Sequence, residues 1–132
     1  MPPDVVQDVG AGVPCALVSA SYRVLLDAAL ARLPVGTFQT SIAGDEVAQG
    51  KPHPEPYERA CRALGVDARH CVVLEDSETG ARSGNAAGAF VIAVPNPGVS
   101  ISAAPRRTQV SSLAELDIDR VVALLEQANV SA

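Results

Sequence analysis

The chain has no tryptophan, and aromatic residues make up only 3% of its 132 residues, so its core must be packed from Ala, Val, Leu and Ile. Basic residues are also scarce: ten Lys and Arg against fifteen Asp and Glu leave a formal net charge of −5. Neutralising nucleic-acid phosphates requires a basic face, so no nucleic-acid partner is expected. The one close basic pair, Arg106-Arg107, reads as a solvated loop. The three cysteines, Cys15, Cys61 and Cys71, form no CxxC pair and have no His/Cys cluster beside them, which argues against a zinc site. They fall in apolar runs or on an apolar helical face, far by pattern from His53 and His70. The expectation is reduced, buried thiols in a cytoplasmic protein rather than a cysteine nucleophile. No apolar run is long enough to cross a membrane, so no membrane partner is expected. The opening Met1-Pro2-Pro3-Asp4 has no positive region followed by an apolar stretch, so no signal peptide is expected. Repeats and low-complexity tracts are lacking too.

What is present describes a globular domain. Hydrophobic residues are 48% and charged residues 19%, and the length suits one domain, residues 1–132, with a core of its own. Residues 5–12 read as a helix end and a turn, with Gly10 and Gly12 as breakers. Val13 to Val18 is a strand. Residues 22–33 are a helix whose apolar face is Leu26, Ala29, Leu30 and Leu33. Phe38 to Ala43 is a short second strand, and Gly44-Asp45-Glu46 opens a loop. The prolines at 52, 54 and 56 force an extended approach into a helix carrying Tyr57, Ala60, Cys61 and Leu64, which Gly65 stops. Cys71 to Leu74 and Phe90 to Val94 are buried strands. Residues 99–110 carry no pattern and are expected to be mobile. A short edge strand is expected at 110–113, and Ile118, Val121, Val122 and Leu125 mark a last amphipathic helix. Strands alternating with helices give an α/β fold with a parallel sheet.

The segment Val72-Val73-Leu74-Glu75-Asp76-Ser77-Glu78-Thr79-Gly80 organises the rest. An apolar strand stops at two adjacent carboxylates and a helix begins at once, with Asp76 or Ser77 as its cap. Ligands of open α/β sheets gather at such carboxyl ends of strands. Two repelling carboxylates invite a hard cation such as Mg²⁺, although the same pair also suits a helix cap with a solvated acid at a helix N-terminus. Glu78 and Arg82 are expected on the exposed side of that helix, and His53 on the surface.

Three stretches together resemble the haloacid dehalogenase-like hydrolases, in particular their phosphatase and β-phosphoglucomutase-like branch. Leu17-Val18-Ser19-Ala20-Ser21 resembles the family's second motif, a strand ending in Ser or Thr. Gly50-Lys51-Pro52-x-Pro54-x-Pro56-Tyr57 resembles the third, built round a Lys. Leu74-Glu75-Asp76-Ser77-x-x-Gly80 resembles the fourth, the acidic metal motif. The resemblance runs over residues 10 to 128 and implies a three-layer, Rossmann-like parallel sheet, a partial core of that family. It implies a Mg²⁺-dependent phosphohydrolase acting on a small phosphorylated metabolite. In that reading Ser19, Ala20 and Lys51 bind phosphate, Lys51 acts in catalysis, and Glu75 and Asp76 hold the metal. Ser21 is either a cap or a contact to a second phosphate of a mutase-like substrate. Ser19 also suits a plain helix cap, and Lys51 a solvated loop charge.

The family's first motif, an apolar strand ending in Asp-x-Asp, is absent: Asp4 and Asp8 follow no apolar strand and have the wrong spacing. Its first Asp is the nucleophile and its second the general acid and base. There is also no room for the cap domain that usually precedes the Ser motif. The chain by itself is therefore expected to be inactive or nearly so, with a gap beside the Ser19 and Glu75 strands and self-association through exposed sheet edges. A phosphomutase, or a non-catalytic remnant serving as a binding or interaction module, are the alternatives.

Overall fold

The computed structural model describes residues 13–131. The expected helix end and turn at 5–12 lie outside them. In chain order the elements are β1 (Ala16–Val18), α1 (Arg23–Leu30), β2 (Thr40–Ile42), α2 (Glu55–Leu64), β3 (Val72–Glu75), α3 (Glu78–Ala86), β4 (Phe90–Ala93), β5 (Arg107–Gln109) and α4 (Ile118–Ser131). Three single 3₁₀ turns, Gly44–Glu46, Ala68–His70 and Leu113–Glu115, join them.

All strand pairs among the described residues are parallel, but they form two sheets. One is β1–β2, with Ala16 opposite Thr40 and Val18 opposite Ile42. The other is β3–β4–β5, with Val73 opposite Val91 and Ile92 opposite Thr108. The break falls between β1, which leads to Ser19, and β3, which ends in Glu75. β4 is the central strand of its sheet, and every one of its residues is buried. That is why Phe90-Val91-Ile92-Ala93 is apolar without alternation: each face has a helical layer to cover it. Val73, Val91 and Ala93 pack with Tyr57 of α2 and Ala81 of α3 on one side. Phe90 and Ile92 pack with Val110, Leu116 and the Val121, Leu124 and Leu125 face of α4 on the other. The period of two along each strand thus yields the three layers of an α/β domain.

Several elements depart from the sequence reading. Of the expected α1 face only Leu26 is buried and Ala29 is exposed, while Val24 and Leu25 are left largely open. The helix itself stops at Leu30, three residues short. Residues 99–110 are not a featureless loop: Ile101 is buried in the core and Arg107–Gln109 pair with β4. The edge strand therefore lies at 107–109 rather than 110–113. Arg107 is no solvated loop residue either. Its guanidinium is held by Asn85 Oδ1 at 2.8 Å, the Ser102 carbonyl at 2.8 Å and Glu78 Oε2 at 3.3 Å. Glu78, expected to face solvent, is thereby tied inward, and Ser102 Oγ donates to its Oε1 at 2.5 Å. That bond from Ser102, ahead of the Arg107 charge, holds the Glu78 carboxyl below its usual range. Among the described residues no helix is long and apolar enough to cross a membrane.

Candidate active site

Three loops leave the carboxyl ends of β1, β2 and β3, and each carries one of the sequence-predicted groups. The first is Ser19-Ala20-Ser21. Its turn is closed by the Ser21 N–H donating to Ser19 Oγ at 3.0 Å. The Ser19 N–H is spent on the Ile42 carbonyl at 3.0 Å, which binds the loop to the end of β2. The Gly44 N–H donates to the Ser21 carbonyl at 2.8 Å, and a side chain at Gly44 would collide with the Ala20 backbone, so only glycine lets the two loops approach. Arg23, the first residue of α1, locks this arrangement. Its guanidinium donates to Ser41 Oγ at 2.7 Å and Glu46 Oε1 at 2.5 Å, and its N–H donates to Asp45 Oδ1 at 2.9 Å. Because α1 begins at Arg23, Ser19 and Ala20 lie ahead of the helix rather than at its N-terminus. Ser19 is therefore not the helix cap, and it can offer a phosphate its hydroxyl but not its N–H.

The second loop carries Lys51. Glu55, at the start of α2, accepts from the N–H groups of Ala48 at 2.9 Å and Gln49 at 3.0 Å, which fixes the approach to the lysine. Those two bonds hold its carboxyl below the usual range. The Lys51–Pro52 peptide is cis. Further on, Ser83 of α3, itself fully buried, donates its hydroxyl to the His53 carbonyl at 2.7 Å. His53 stays at the surface, as expected, with Nδ1 accepting from the Glu55 N–H. So anchored, Lys51 turns inward and its side chain is only 13% exposed. Its ammonium donates to the Val18 carbonyl at 3.2 Å and to Glu75 Oε2 at 2.5 Å, and it lies 5.1 Å from the centre of the Tyr57 ring. A solvated loop charge would show none of these contacts.

The third loop follows β3. Glu75 is buried and Asp76 exposed, although they are adjacent, because successive residues at a strand end point to opposite sides. Ser77 is the cap of α3, accepting from the Gly80 N–H at 3.1 Å, so Asp76 is left free of that duty. The Glu75 carboxylate accepts from Lys51 and from the Tyr57 hydroxyl, and its other oxygen is pressed against Gly80. No Cβ could stand at position 80 without displacing it. Burial, and then the Glu75 charge, push the Tyr57 hydroxyl above its usual range, so it remains a donor. Asp76 faces outward and has one neighbouring donor, Asn96 Nδ2 at 3.4 Å.

Ser19, Ala20, Lys51, Glu75 and Asp76 line one open cleft of about 800 Å³, to which Asn96 also contributes. Ser21 is not on its lining and is exposed. Tyr57 and Asn96 were not singled out from the sequence. Tyr57 read as one more apolar position of α2; the signal available was that a buried tyrosine hydroxyl needs a polar partner. Asn96 read only as part of a Pro-Asn-Pro turn.

The donor set fits Mg²⁺ in kind. Among the described residues no cluster of three or more acidic or His/Cys side chains could cage a metal. Mg²⁺, however, is commonly held by one or two carboxylates with waters and phosphate oxygens completing its shell. Asp76, exposed on the cleft, could serve as such a carboxylate, whereas Glu75 Oε2 is already engaged by Lys51 and Tyr57.

Comparison with known proteins yields a consistent picture. A family model described as haloacid dehalogenase-like hydrolase matches residues 4–88. The chain is 39% identical over 87 residues to the bifunctional riboflavin kinase/FMN phosphatase of Arabidopsis thaliana, covering 64% of this chain and 23% of that protein. It is 39% identical over 89 residues to Protein CbbY of Rhodobacter capsulatus, covering 64% of this chain and 39% of that protein. Hexitol phosphatase A of Escherichia coli is 37% identical over 89 residues, with 66% and 40% covered. The chain thus spans well under half the length of these relatives. Among solved structures, CbbY from Rhodobacter sphaeroides in complex with phosphate superposes with a TM-score of 0.75 at 30% identity, covering 86% of this chain and 55% of that one. A β-phosphoglucomutase from Clostridium difficile superposes with a TM-score of 0.77 at 22% identity, covering 96% and 55%, a likeness of fold alone.

Proposed function

The chain belongs to the haloacid dehalogenase-like hydrolases, and on that footing we propose that it forms the phosphate- and metal-binding part of a Mg²⁺-dependent phosphohydrolase acting on small phosphorylated metabolites. The observation that carries this reading is the position of Lys51. Its ammonium bridges the Val18 carbonyl at the end of β1 and Glu75 at the end of β3, on the cleft that Ser19 and Asp76 also line.

A phosphoryl group in transfer spreads negative charge over its oxygens, so catalysis is mainly positioning and charge stabilisation. Lys51 supplies a compact positive charge, and Glu75 with Tyr57 keeps that charge aimed along one direction. Ser19 offers a hydroxyl, held in place by the Ser21 N–H behind its oxygen. Asp76 offers a carboxylate to Mg²⁺, steadied by the Asn96 amide. The cation, when bound, supplies neutralisation of the phosphate oxygens.

The nucleophilic carboxylate that the family places on an Asp-x-Asp strand is not among the motifs of this chain. The break between β1 and β3, spanned by the Lys51 side chain, is where one more parallel strand would bring such a group beside Lys51. Without it, the chain holds a phosphate and a metal but turns over slowly or not at all. The open edges at that break also favour association of the chain with itself, readable as concentration-dependent mass in sedimentation.

The experiment is phosphate release from an aryl phosphate, with and without Mg²⁺, run beside Asp76→Ala. Thermal melts with Mg²⁺ and inorganic phosphate accompany it. The expected result is release no faster than in the Asp76→Ala control, together with a rise in melting temperature on adding both ligands that Asp76→Ala loses. Mg²⁺-dependent release abolished by Asp76→Ala would show that the chain has a nucleophile of its own. The absence of both release and a ligand-dependent rise would overturn the reading altogether.

A further inference from the structure

Away from the cleft, two of the three thiols meet. Cys61 lies near the carboxyl end of α2 and Cys71 immediately before β3, and their Sγ atoms are 3.8 Å apart. Both are free and half-buried, so a small oxidant can reach them. They flank, in sequence, the tight connection that runs through Gly65 and the Ala68–His70 turn, which returns the chain from helix to strand. The expectation that these thiols are buried is thus corrected: both are only half-buried, and they lie together.

We propose that Cys61 and Cys71 are a redox modification site, closing to a reversible intramolecular disulfide that staples α2 to β3. The sulfur atoms have to approach from 3.8 Å to about 2.05 Å, within reach of side-chain rotation and a small backbone adjustment. The chemistry is ordinary thiol–disulfide exchange with glutathione disulfide as oxidant. The Cys61 thiolate attacks one glutathione sulfur, the glutathione S–S bond breaks, and one glutathione thiolate leaves and takes up a proton. The Cys71 thiol gives up its proton and attacks the Cys61 sulfur of the mixed disulfide, expelling the second glutathione as a thiol. Two protein thiols are oxidised by two electrons, and one glutathione disulfide becomes two thiols.

The pair has the polarity this order requires. The Cys71 sulfhydryl next to Cys61 brings the Cys61 thiol down to about 7, while that same contact and burial push Cys71 up. Asp67 and Glu58, which act against the Cys61 thiolate, are weaker influences than Cys71. Cys71 Sγ also lies 3.3 Å from the Asp67 carbonyl, an alternative acceptor for its proton when Cys61 is not ionised.

The bond would form at the end of α2 opposite the cleft. Tyr57 lies one turn up the same helix from Cys61, and Glu75 lies at the far end of the strand that follows Cys71. The staple therefore fixes the placement of α2 on β3 without entering the cleft.

The test uses the full chain, incubated with glutathione disulfide, quenched with N-ethylmaleimide and mapped by mass spectrometry without reduction. The expected product is a peptide pair joined through Cys61 and Cys71, with Cys15 alkylated. A rise of several degrees in melting temperature, reversed by dithiothreitol, should accompany it. The Cys71→Ser chain should instead retain a glutathione on Cys61. Wild-type protein in which Cys61 and Cys71 stay alkylated, keep glutathione, or pair with Cys15 would overturn the proposal. None of these outcomes depends on phosphatase activity, so the inference stands or falls apart from the functional reading.

Discussion

Tyr57 and Glu75 meet inside the domain, the phenol donating to the same carboxylate oxygen that Lys51 holds at 2.5 Å. α2 thus supplies a donor to β3 through the one aromatic residue on its buried face. Tyr57→Phe keeps the ring and removes the donor. A hydrogen bond to a charged group contributes about 1.5–3 kcal/mol, and urea denaturation should show a loss of that size. An unchanged midpoint would mean that water replaces the phenol at no cost.

Lys51 and Glu75 form a largely buried ion pair, 13% and 7% exposed. Breaking such a pair from one side leaves an uncompensated charge, at a cost of about 3–5 kcal/mol. Lys51→Met should lose stability on that scale, and adding Glu75→Gln should recover part of it. Additive losses in the double variant would show that the two groups are not coupled.

Gly80→Ala is expected to be costly for a reason unrelated to helix propensity, since its Cβ would occupy the place of the Glu75 carboxylate. Overpacking of this kind costs about 1–3 kcal/mol. Gly50→Ala, whose Cβ would meet nothing within 4 Å, is the control and should be neutral or slightly stabilising. Equal effects at both positions would contradict the proposed packing.

The Arg23–Glu46 contact makes a prediction about pH. The Arg23 hydrogen bond, and after it the Ala43 N–H, lower the Glu46 carboxyl below its ordinary 4.5. A depressed carboxyl stabilises the fold above its unfolded-state value and stops doing so as pH falls through its folded-state value. The melting temperatures of wild type and Glu46→Gln should therefore differ at pH 7 and converge below 4.5. A gap that persists in acid would mean that the contact does not depend on the Glu46 charge.

Cys61 should be alkylated by iodoacetamide with a rate that reaches half its plateau near pH 7, where its thiol is half ionised. Cys15, raised by burial, should react only at higher pH. Identical pH profiles for the two would remove the basis for treating Cys61 as the attacking sulfur.

Much of this arrangement could be read from the chain because it is local. The apolar run of β4, the Tyr57, Ala60, Cys61 and Leu64 spacing of α2 and the Gly65 stop are each specified within a few residues. What could not be read depends on distant partners. β5 is Arg-Thr-Gln, with no apolar signal, and it exists because Asn85, Ser102 and Glu78 receive the Arg107 side chain. The Ser19, Lys51, Glu75 and Asp76 set was legible as residue types at the ends of strands. Which carboxylate turns inward was not, because that follows from Tyr57 and Gly80 packing around Glu75. The thiol pair is not legible in the sequence because ten positions along the chain separate two atoms only 3.8 Å apart.

The division of the strands into two sheets gives the molecule a seam. α2 lies across it, touching β1 and β2 on one side and, through Tyr57, Val73 and Val91 on the other. Cooperative unfolding usually proceeds by blocks rather than uniformly. The β1–α1–β2 block, with short strands, exposed Val24 and Leu25 and only Leu26 buried on its helix, is the weaker of the two. Its backbone amides should exchange with deuterium well before those of β3 and β4. Each such opening would detach the Val18 carbonyl from Lys51, so the breathing of one block sets how long the cleft remains assembled.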